Sequence, residues 1–450
     1  MTLNTSQNTS QNVTTLADCK ALDAADPLRS LRKLFSLPDG VIYLDGNSLG
    51  VLPVATAQRV ADVVKKEWGV GLIRSWNSAN WFESPQHAGD KIAQLIGARA
   101  GEVVATDSTS INLFKVMHAA ILIAARADNT RSTGQNSIKN IVLSERSNFP
   151  TDLYIAQSLC AQHGLTLKLV EAHELSAAIT PEVAIVMLTH VHYRSGAMHD
   201  MQGITTQAHA AGALAVWDLA HSAGAVPIDL HTADADFAVG CGYKYLNGGP
   251  GAPAFLWVHP RHANNFEQPL VGWWGHAAPF AFTPDYQPAH GVARALCGTQ
   301  PIISMAALGC GLDSVLAAEP LGGMAALRAK SLALTDLFIQ LVESHCANTG
   351  LSLATPRAHA VRGSHVSFYF ASGGYAIMQA LIERGVIGDF RAGDPSAPAG
   401  SADCRDILRF GFTPLYLGFA DVWHAVEDLH QVMATGEWQR PEFNRKQAVT

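Results

Sequence analysis

Seven short apolar runs that alternate with helix-like stretches constrain the fold of this 450-residue chain more than any other feature. Such alternation is typical of βαβ units, which build a mainly parallel sheet with helices on both faces. We therefore predict an α/β fold whose large domain contains a mainly parallel, seven-stranded sheet. The runs lie at residues 103–105, 141–143, 165–170, 183–188, 214–217, 237–240 and 255–258.

The C-terminal part of the sequence indicates a second, smaller domain. A long apolar segment at about 299–319 is followed by alternating helix-like and strand-like stretches, which are typical of an α+β domain. We predict a disordered tail at 1–14, an N-terminal segment at 15–60 that packs with the small domain, a large cofactor-binding domain at 61–310 and a small domain at 311–450. The elements predicted outside the large sheet are strands at 41–44, 365–370, 386–390 and 407–410 and helices at 55–68, 325–345, 375–384 and 419–433.

Composition narrows the functional classes. A net charge of −7 argues against a nucleic-acid partner. The longest apolar runs, at 119–125 and 183–188, look too short to span a membrane, and the polar N-terminus has no secretory h-region. The seven cysteines show no CxxC spacing, so we expect reduced thiols in a cytoplasmic protein and no metal site.

An aspartate and a lysine follow two of the predicted strands. Asp218 follows the run at 214–217, and Lys244 follows the run at 237–240 with glycines on both sides. Ligands of open α/β sheets bind beyond the carboxyl ends of the strands, so both side chains are expected at that edge. A lysine can bond covalently to an aldehyde cofactor, and an aspartate can keep a pyridine nitrogen protonated. The pair therefore predicts a site for pyridoxal 5′-phosphate.

Each of these residues also has an explanation that needs no ligand. Asp218 could cap a helix, and Lys244 could be a solvated loop lysine. The nearby His221 could bond to Asp218 or to the cofactor, or it could be a satisfied buried histidine. The aromatic and glycine-rich flanks of Lys244 are unusual for a solvated loop, and they favour the functional interpretation.

Two strand-to-helix turns could also contact the cofactor. Thr109 and Ser110 open a helix, and hydroxyls at a helix N-terminus form an anion site, although ordinary N-capping uses the same residues. Phe149 precedes a second helix in which Pro150 occupies the first position. The Phe149 ring could stack on an aromatic cofactor or belong to the core.

Six segments give the chain a resemblance to kynureninases, which are fold-type-I pyridoxal phosphate enzymes of the aspartate aminotransferase superfamily. The resemblance covers nearly the whole chain beyond the tail. The Asp…Lys pair is shared by many fold-type-I enzymes, whereas GWWGH at 272–276 and RFGFTPLY at 409–416 are more specific to kynureninases. The other segments lie at residues 43–50, 149–152, 218–222 and 242–247.

The resemblance implies a role for each matching residue. Lys244 would hold the cofactor and act as general base, and Asp218 would pair with the pyridine nitrogen. Tyr243 would bind the phosphate and can deliver a proton, and Arg409 would bind the α-carboxylate of the substrate. The remaining implied contacts are Thr109, Ser110, Phe149, Pro150, Thr151, Asp152, Thr189 and His221 for the cofactor and Trp76 for the substrate.

The resemblance also implies the reaction and the assembly. The enzyme would hydrolyse the Cβ–Cγ bond of L-kynurenine to anthranilate and L-alanine, and the residues leave open whether 3-hydroxy-L-kynurenine is also cleaved. Trp273 and Thr299 would reach the cofactor of a second subunit, which implies a homodimer with a shared site. The implied setting is cytoplasmic tryptophan degradation through kynurenine, which can supply NAD biosynthesis.

Two alternatives stay open at this stage. A cysteine desulfurase-like lyase needs a nucleophilic cysteine on a mobile loop, and Cys404 follows a loop rich in glycine and proline at 392–402. Against this, the segment after Cys404 matches kynureninases. A catalytically silent, cofactor-binding paralogue is the second alternative. The intact Lys244, Asp218 and Arg409 argue against it.

Overall fold

The computed structural model describes residues 15–130, 139–394 and 404–445. The tail predicted at 1–14 and most of the loop predicted at 392–402 lie outside these residues. The strands are β1 (Ile42–Tyr43), β2 (Val103–Ala105), β3 (Ile141–Glu145), β4 (Thr166–Val170), β5 (Val183–Thr189), β6 (Leu214–Asp218), β7 (Phe237–Gly240), β8 (Phe255–Val258), β9 (Ser352–Leu353), β10 (His365–Phe370), β11 (Val386–Ile387), β12 (Asp389–Arg391) and β13 (Asp406–Gly411). The α-helices are α1 (Leu16–Ala25), α2 (Val54–Asp62), α3 (Ser75–Ser78), α4 (Ser84–Leu95), α5 (Thr109–Thr130), α6 (Pro150–His163), α7 (Leu175–Ala178), α8 (Met201–Ala210), α9 (Pro260–Ala263), α10 (Ile302–Leu316), α11 (Gly323–His345), α12 (Gly374–Glu383) and α13 (Phe419–Thr435).

The central sheet confirms the predicted architecture. Its order is β2-β8-β7-β6-β5-β3-β4, so all seven predicted runs are strands of one sheet. Only β8 runs antiparallel to its neighbours. Every residue of β5 is buried, as expected for a strand covered by helices on both faces. The carboxyl ends of β5 and β6 lie side by side, because Thr189 pairs with Asp218.

The small sheet has one apolar face and one polar face. Its order is β12-β13-β10-β9, with antiparallel pairs throughout. Val366 and Phe368 of β10 belong to the hydrophobic core. Side chains alternate along a strand, so His365 and Ser367 lie on the opposite face, where Ser367 pairs with Arg409. The small sheet therefore carries Arg409 on its polar face.

The N-terminal segment contacts the C-terminal part of the chain. Ile42 pairs with Val386, and Arg32 forms a 2.5 Å ion pair with Asp421. The domain boundaries given above nevertheless remain predictions. The single strand predicted at 386–390 is wrong. It is two strands that separate at Gly388, where an added Cβ would lie only 3.0 Å from side-chain atoms of the closely packed core.

The helix predicted at 55–68 is also only partly correct. After α2 the chain continues as a π-helix, Val63–Gly71, whose surface includes exposed apolar side chains such as Trp68 and Val70.

The expectation that the apolar runs are too short to span a membrane does not hold for two helices. Thr109–Ala127 and Ile302–Leu321 are long and apolar enough to cross a membrane. The second coincides with the long apolar segment predicted at about 299–319, whereas in the first polar and small residues interrupt the runs of large apolar ones. Core helices of soluble proteins pass the same test, so these two are weak evidence for a membrane. Lys115, in the first of them, is fully buried and forms a 2.6 Å ion pair with Asp107.

Candidate active site

Lys244 and Asp218 lie at the same edge of the central sheet, as the sequence predicted. Asp218 ends β6 and is buried, and its Oδ1 accepts a 2.7 Å hydrogen bond from the backbone N–H of Ala220. Lys244 lies in the turns after β7 and is half-buried. Its Nζ lies 2.9 Å from Nε2 of His221. The lysine amine therefore points into the protein rather than into solvent.

Asp152 places a second carboxyl group next to that of Asp218. It lies in the first turn of α6 and is 2 % exposed. Burial raises the pKa of Asp152 well above its usual range, and the neighbouring charge of Asp218 raises it further. Burial also raises the pKa of Asp218, but the positive charge of Lys244 opposes that rise. The directions and causes of these shifts favour the proton on Asp152 and the negative charge on Asp218.

Thr189 links this carboxyl pair to the turn before α6. Its hydroxyl lies 2.5 Å from Oδ1 of Asn148 and 3.4 Å from Oδ2 of Asp152. Pro150 occupies the first turn of α6 and Thr151 follows it, as predicted. Phe149, the residue before the helix, is 40 % exposed, and its ring contacts Tyr193 edge-on at 5.3 Å. An exposed ring at this edge is available to stack on a ligand.

The N-terminus of α5 offers an anion site. Thr109 and Ser110 are the first two residues of this helix, which is 22 residues long. The hydroxyl of Thr109 is buried and has no hydrogen-bond partner among the described residues. Unpaired buried polar atoms are rare, and a helix N-terminus favours negative charge. These observations fit a phosphate group.

His221 is buried and neutral. Burial lowers the pKa of its imidazole well below the usual value, and the charges of Lys244 and Arg409 lower it further. Its Nε2 faces Lys244, whereas its Nδ1 has no partner within the described ranges. Of the alternatives considered for His221, the structure shows contact with Lys244 rather than with Asp218.

Tyr243 precedes Lys244 and is half-buried. Burial raises the pKa of its phenol, and the nearby Cys241 and Asp218 raise it further. The hydroxyl therefore stays protonated at neutral pH. The backbone carbonyl of Tyr243 accepts a 2.7 Å hydrogen bond from the N–H of Gly50, which fixes the turn against the N-terminal segment.

Arg409 reaches the same region from the small sheet and is 1 % exposed. Its guanidinium donates to the carbonyl of Tyr193 at 2.7 Å, to Oγ of Ser48 at 2.8 Å and to the amide oxygen of Asn47 at 2.9 Å, and it forms an ion pair with Asp389. These partners use four of its five N–H groups. A bidentate contact with a carboxylate therefore requires that one of these partners, such as Ser48, be exchanged.

Three predicted site residues lie elsewhere in the chain. Trp76 and Trp273 are half-buried, and their ring centroids are 6.1 Å apart in an aromatic cluster that also contains Trp274. Thr299 is exposed and precedes the buried Gln300, whose Oε1 lies 3.0 Å from Oγ1 of Thr106. Trp273 thus packs in an aromatic cluster of its own chain, whereas Thr299 lies at the surface.

The sequence reading missed two features of the site. His365 of β10 is fully buried, its ring lies 5.5 Å from that of His221, and neither of its ring nitrogens has a partner in the described part of the chain. Asp389 pairs with Arg409 across two strands. Alternation along β10 could have placed His365 on the polar face, but only the strand register shows which residues lie opposite Arg409.

Comparison with known proteins identifies relatives along the whole chain. Residues 327–429 match the family model of the kynureninase C-terminal domain. The chain is 55 % identical over 441 residues to a kynureninase of Pseudomonas fluorescens, covering 97 % of this chain and 100 % of the relative. It is also 55 % identical over 439 residues to a kynureninase of Burkholderia pseudomallei, with the same coverage.

Solved structures show the same fold at low sequence identity. A cysteine desulfurase from Thermococcus onnurineus NA1 superposes with a TM-score of 0.72 at 20 % identity, covering 90 % of this chain and 98 % of that one. A variant of the lyase C-DES, with glycine covalently linked to its PLP cofactor, superposes with a TM-score of 0.71 at 16 % identity, covering 87 % and 97 %. At this identity the two structures show the fold alone, and the desulfurase alternative gains no further support. The full-length similarity shows that the chain belongs to the kynureninase family, whose cofactor is pyridoxal 5′-phosphate.

Proposed function

We propose that this enzyme hydrolyses the Cβ–Cγ bond of L-kynurenine to anthranilate and L-alanine, and that it acts in the same way on 3-hydroxy-L-kynurenine. The convergence of Lys244, Asp218 and Arg409 carries the proposal, because it places an amine, a carboxylate and a guanidinium around one edge of the sheet. We further propose that the reaction belongs to cytoplasmic tryptophan degradation and can supply NAD biosynthesis.

The residues at the sheet edge fit the cofactor. The unpaired Thr109 hydroxyl and the α5 N-terminus would bind the phosphate together with Ser110 and Tyr243. Phe149 would stack on the ring, and the charged Asp218 would hold the ring nitrogen protonated. The residues that complete the proposed cofactor site are Pro150, Thr151, Asp152, Thr189 and His221. When bound, pyridoxal phosphate supplies an electron sink for the charge that develops on the substrate carbon atoms.

Proton transfers would be carried out by two neighbouring side chains. Lys244, released when the substrate amine binds, would remove the Cα proton as general base, and its contact with the neutral His221 holds the amine in place. Water would add to the side-chain carbonyl, after which the Cβ–Cγ bond breaks. Anthranilate would then leave, and Tyr243, protonated at neutral pH, would deliver a proton to Cβ of the remaining three-carbon fragment to give alanine.

Arg409 would orient the substrate through its α-carboxylate. Its guanidinium is buried on the polar face of the small sheet, and a charge-assisted bond in such a place fixes both position and direction. With the carboxylate and the amine both fixed, the Cα proton would face Lys244. Trp76 would line the pocket for the aromatic ring.

The active site would be shared between the two subunits of a homodimer. The half-buried Trp273 and the exposed Thr299 would reach the cofactor of the partner subunit. Mixed dimers test this arrangement. If Trp273 acts in the other subunit, the Lys244→Ala and Trp273→Ala proteins are each inactive alone. Random reassociation of an equal mixture of the two should then restore about a quarter of the active sites of the parent enzyme. If Trp273 serves its own subunit, mixing restores no activity.

The proposed reaction is tested by incubating the purified holoenzyme separately with L-kynurenine and with L-cysteine. We expect anthranilate from the first and no sulfide from the second. Cofactor loading without anthranilate release would instead support a catalytically silent paralogue, and sulfide release would support a desulfurase.

A further inference from the structure

Two carboxyl groups and two guanidinium groups meet behind the proposed carboxylate site. Asp389 pairs with Arg409 and also lies 2.9 Å from Arg391. Asp45 joins them from the N-terminal segment, because it bridges to Gly411, two residues from Arg409 along β13. At full ionisation the four groups carry no net charge.

Asp45 is the least stabilised of these charges. Its Oδ1 is buried and has no hydrogen-bond partner within the described residues. Burial raises the pKa of Asp45 to about 7, with a further rise from the negative charge of Asp389, while Arg409 and a hydrogen bond with Ser48 oppose the rise. Arg391 is 40 % exposed, so water screens its charge more than that of the buried Arg409.

A substrate carboxylate at Arg409 would disturb this balance. It would bring a third negative charge to two guanidinium groups, next to the buried Arg409, where water screens the repulsion weakly. A proton taken up from solvent by one carboxyl group would restore neutrality. Asp389 is held by Arg409 and Arg391, whereas Asp45 has an unpaired buried oxygen, so Asp45 is the group that accepts the proton at least cost.

We propose that Asp45 is a positioning residue that takes up one proton when the α-carboxylate of the substrate binds at Arg409. This inference rests on the proposed function, because it requires that Arg409 bind a carboxylate. Ser48 of the 45–48 turn contacts Arg409, and Asp45 acts on the guanidinium through this turn and through its charge rather than on the reacting atoms. Its effect is to keep the guanidinium attractive to an anion by removing the nearest unpaired negative charge.

The other titratable groups around Asp45 do not compete for this proton. Burial raises the pKa values of three nearby phenols, which stay protonated and neutral across the working range. Burial also holds the pKa values of two imidazoles near Arg409 well below the usual value, so these imidazoles stay neutral as well. These groups are Tyr43, Tyr245, Tyr416, His221 and His365.

Calorimetry of the holoenzyme with 3-benzoylpropionate tests the inference. This probe carries the carboxylate, the ketone and the ring of the proposed substrate class but no amine, so it cannot bond covalently to the cofactor. Titrations in buffers of different ionisation enthalpy give the number of protons taken up. We expect uptake approaching one proton at about pH 8 and little at about pH 6, with affinity falling up to about tenfold per pH unit above about pH 7.

Variants separate Asp45 from other sources of protons. Asp45→Asn should bind the probe with no proton uptake and with an affinity independent of pH. The absorbance of the bound cofactor reports its own protonation separately. Asp389→Asn removes the neighbouring negative charge, so the pH of half-maximal uptake should fall. The methyl ester of the probe, which has no negative charge, should cause no uptake in any variant.

Two results would overturn the inference. Proton uptake by Asp45→Asn equal to that of the parent, or Arg409-dependent binding by the parent with no uptake, would show that Asp45 does not take up the proton. Probe binding that is unaffected by Arg409→Leu would instead overturn the proposed carboxylate role of Arg409, and the inference with it. If Asp45→Asn fails to load cofactor, Asp389→Asn tests the inference instead. A pH of half-maximal proton uptake equal to that of the parent would then contradict it.

Discussion

Lys244 Nζ lies 2.9 Å from Nε2 of His221, and burial together with the lysine charge holds the pKa of that imidazole well below its usual range. A neutral imidazole can accept a hydrogen bond from the lysine amine, whereas a charged one would repel it. The contact therefore fixes the amine at the edge of the sheet without placing a second positive charge beside it.

Replacing His221 should slow catalysis without abolishing it. His221→Phe removes the acceptor, and loss of a hydrogen bond to a charged group, about 1.5–3 kcal/mol, corresponds to roughly a 10–100-fold lower kcat. The release of anthranilate at saturating kynurenine measures the effect. His231→Phe is the matched control, since His231 bonds to Glu102 rather than to the site. An equal loss in both variants would contradict a specific role for His221.

Asp218 and Asp152 should respond differently to the same substitution. Asp218→Asn removes the charged carboxylate and should lower kcat by at least about 100-fold, the scale for a buried electrostatic group in an active site. Asp152 holds a proton, and the neutral amide of asparagine imitates a protonated carboxyl, so Asp152→Asn should retain most activity. A reversed order would show that the charge lies on Asp152.

Arg409→Lys should raise KM for kynurenine by roughly 10–100-fold, because an ammonium group replaces a planar donor set with a point charge. Arg405→Lys serves as control: Arg405 lies over the ring of Tyr369, with its guanidinium carbon 4.0 Å from the ring centroid. Steady-state kinetics of both variants would measure the difference. An unchanged KM in Arg409→Lys would show that the substrate is held elsewhere.

Gly50→Ala should disturb the Lys244 turn. An added Cβ at Gly50 would lie 2.4 Å from the carbonyl oxygen of Lys244 and 2.7 Å from Cα of Asn247, and neither backbone atom can move without the turn. We expect weaker cofactor loading and a loss of about 1–3 kcal/mol in the free energy of unfolding. Gly309→Ala, in α10 with no atom within 4 Å, should be neutral or stabilising by comparison. Full loading of Gly50→Ala would contradict this packing.

The buried carboxylate of Asp236, outside the proposed active site, should dominate the loss of folding stability at acidic pH. Asp236 accepts hydrogen bonds from His209, His262 and the backbone of Ala215, and these bonds hold its pKa below the usual value despite burial. A lowered carboxyl pKa contributes stability that is present above about pH 4 and is lost as the pH falls further.

The partner histidine acts in the opposite direction. The Asp236 hydrogen bond raises the pKa of His209, so its contribution is complete below about pH 6.5 and is lost as the pH rises through the higher folded value. Urea unfolding between about pH 2 and pH 8 should show both losses. Asp236→Asn should remove them and cost about 3–5 kcal/mol. A parent-like pH profile in Asp236→Asn would show that other groups are responsible.

The sequence was sufficient to predict the large sheet and its functional edge. Apolar runs of three to six residues mark buried strands, and residues such as Asp218 that follow them must lie at the carboxyl edge. Features that depend on contacts between distant segments could not be predicted in this way. Asp45 and Asp389 are far apart in the chain, and only the pairing of β12 with β13 and the bridge to Gly411 bring them to Arg409.

Local signals also failed where packing overrode them. The run at 386–390 has a strand-like composition, but its two halves pair with different strands, β11 with β1 and β12 with β13, and they separate at the tightly packed Gly388. The partners of Arg409 likewise could not be predicted, since they come from the N-terminal segment, from the turn after β5 and from β12.

The covalent attachment of the cofactor at Lys244 is the claim on which the account depends, and borohydride reduction followed by peptide mass analysis tests it most directly. We predict a pyridoxyl mass on the peptide that contains Lys244, and loss of both that mass and anthranilate release in Lys244→Ala. A label on a different lysine, or release of anthranilate by Lys244→Ala at the parent rate, would contradict it.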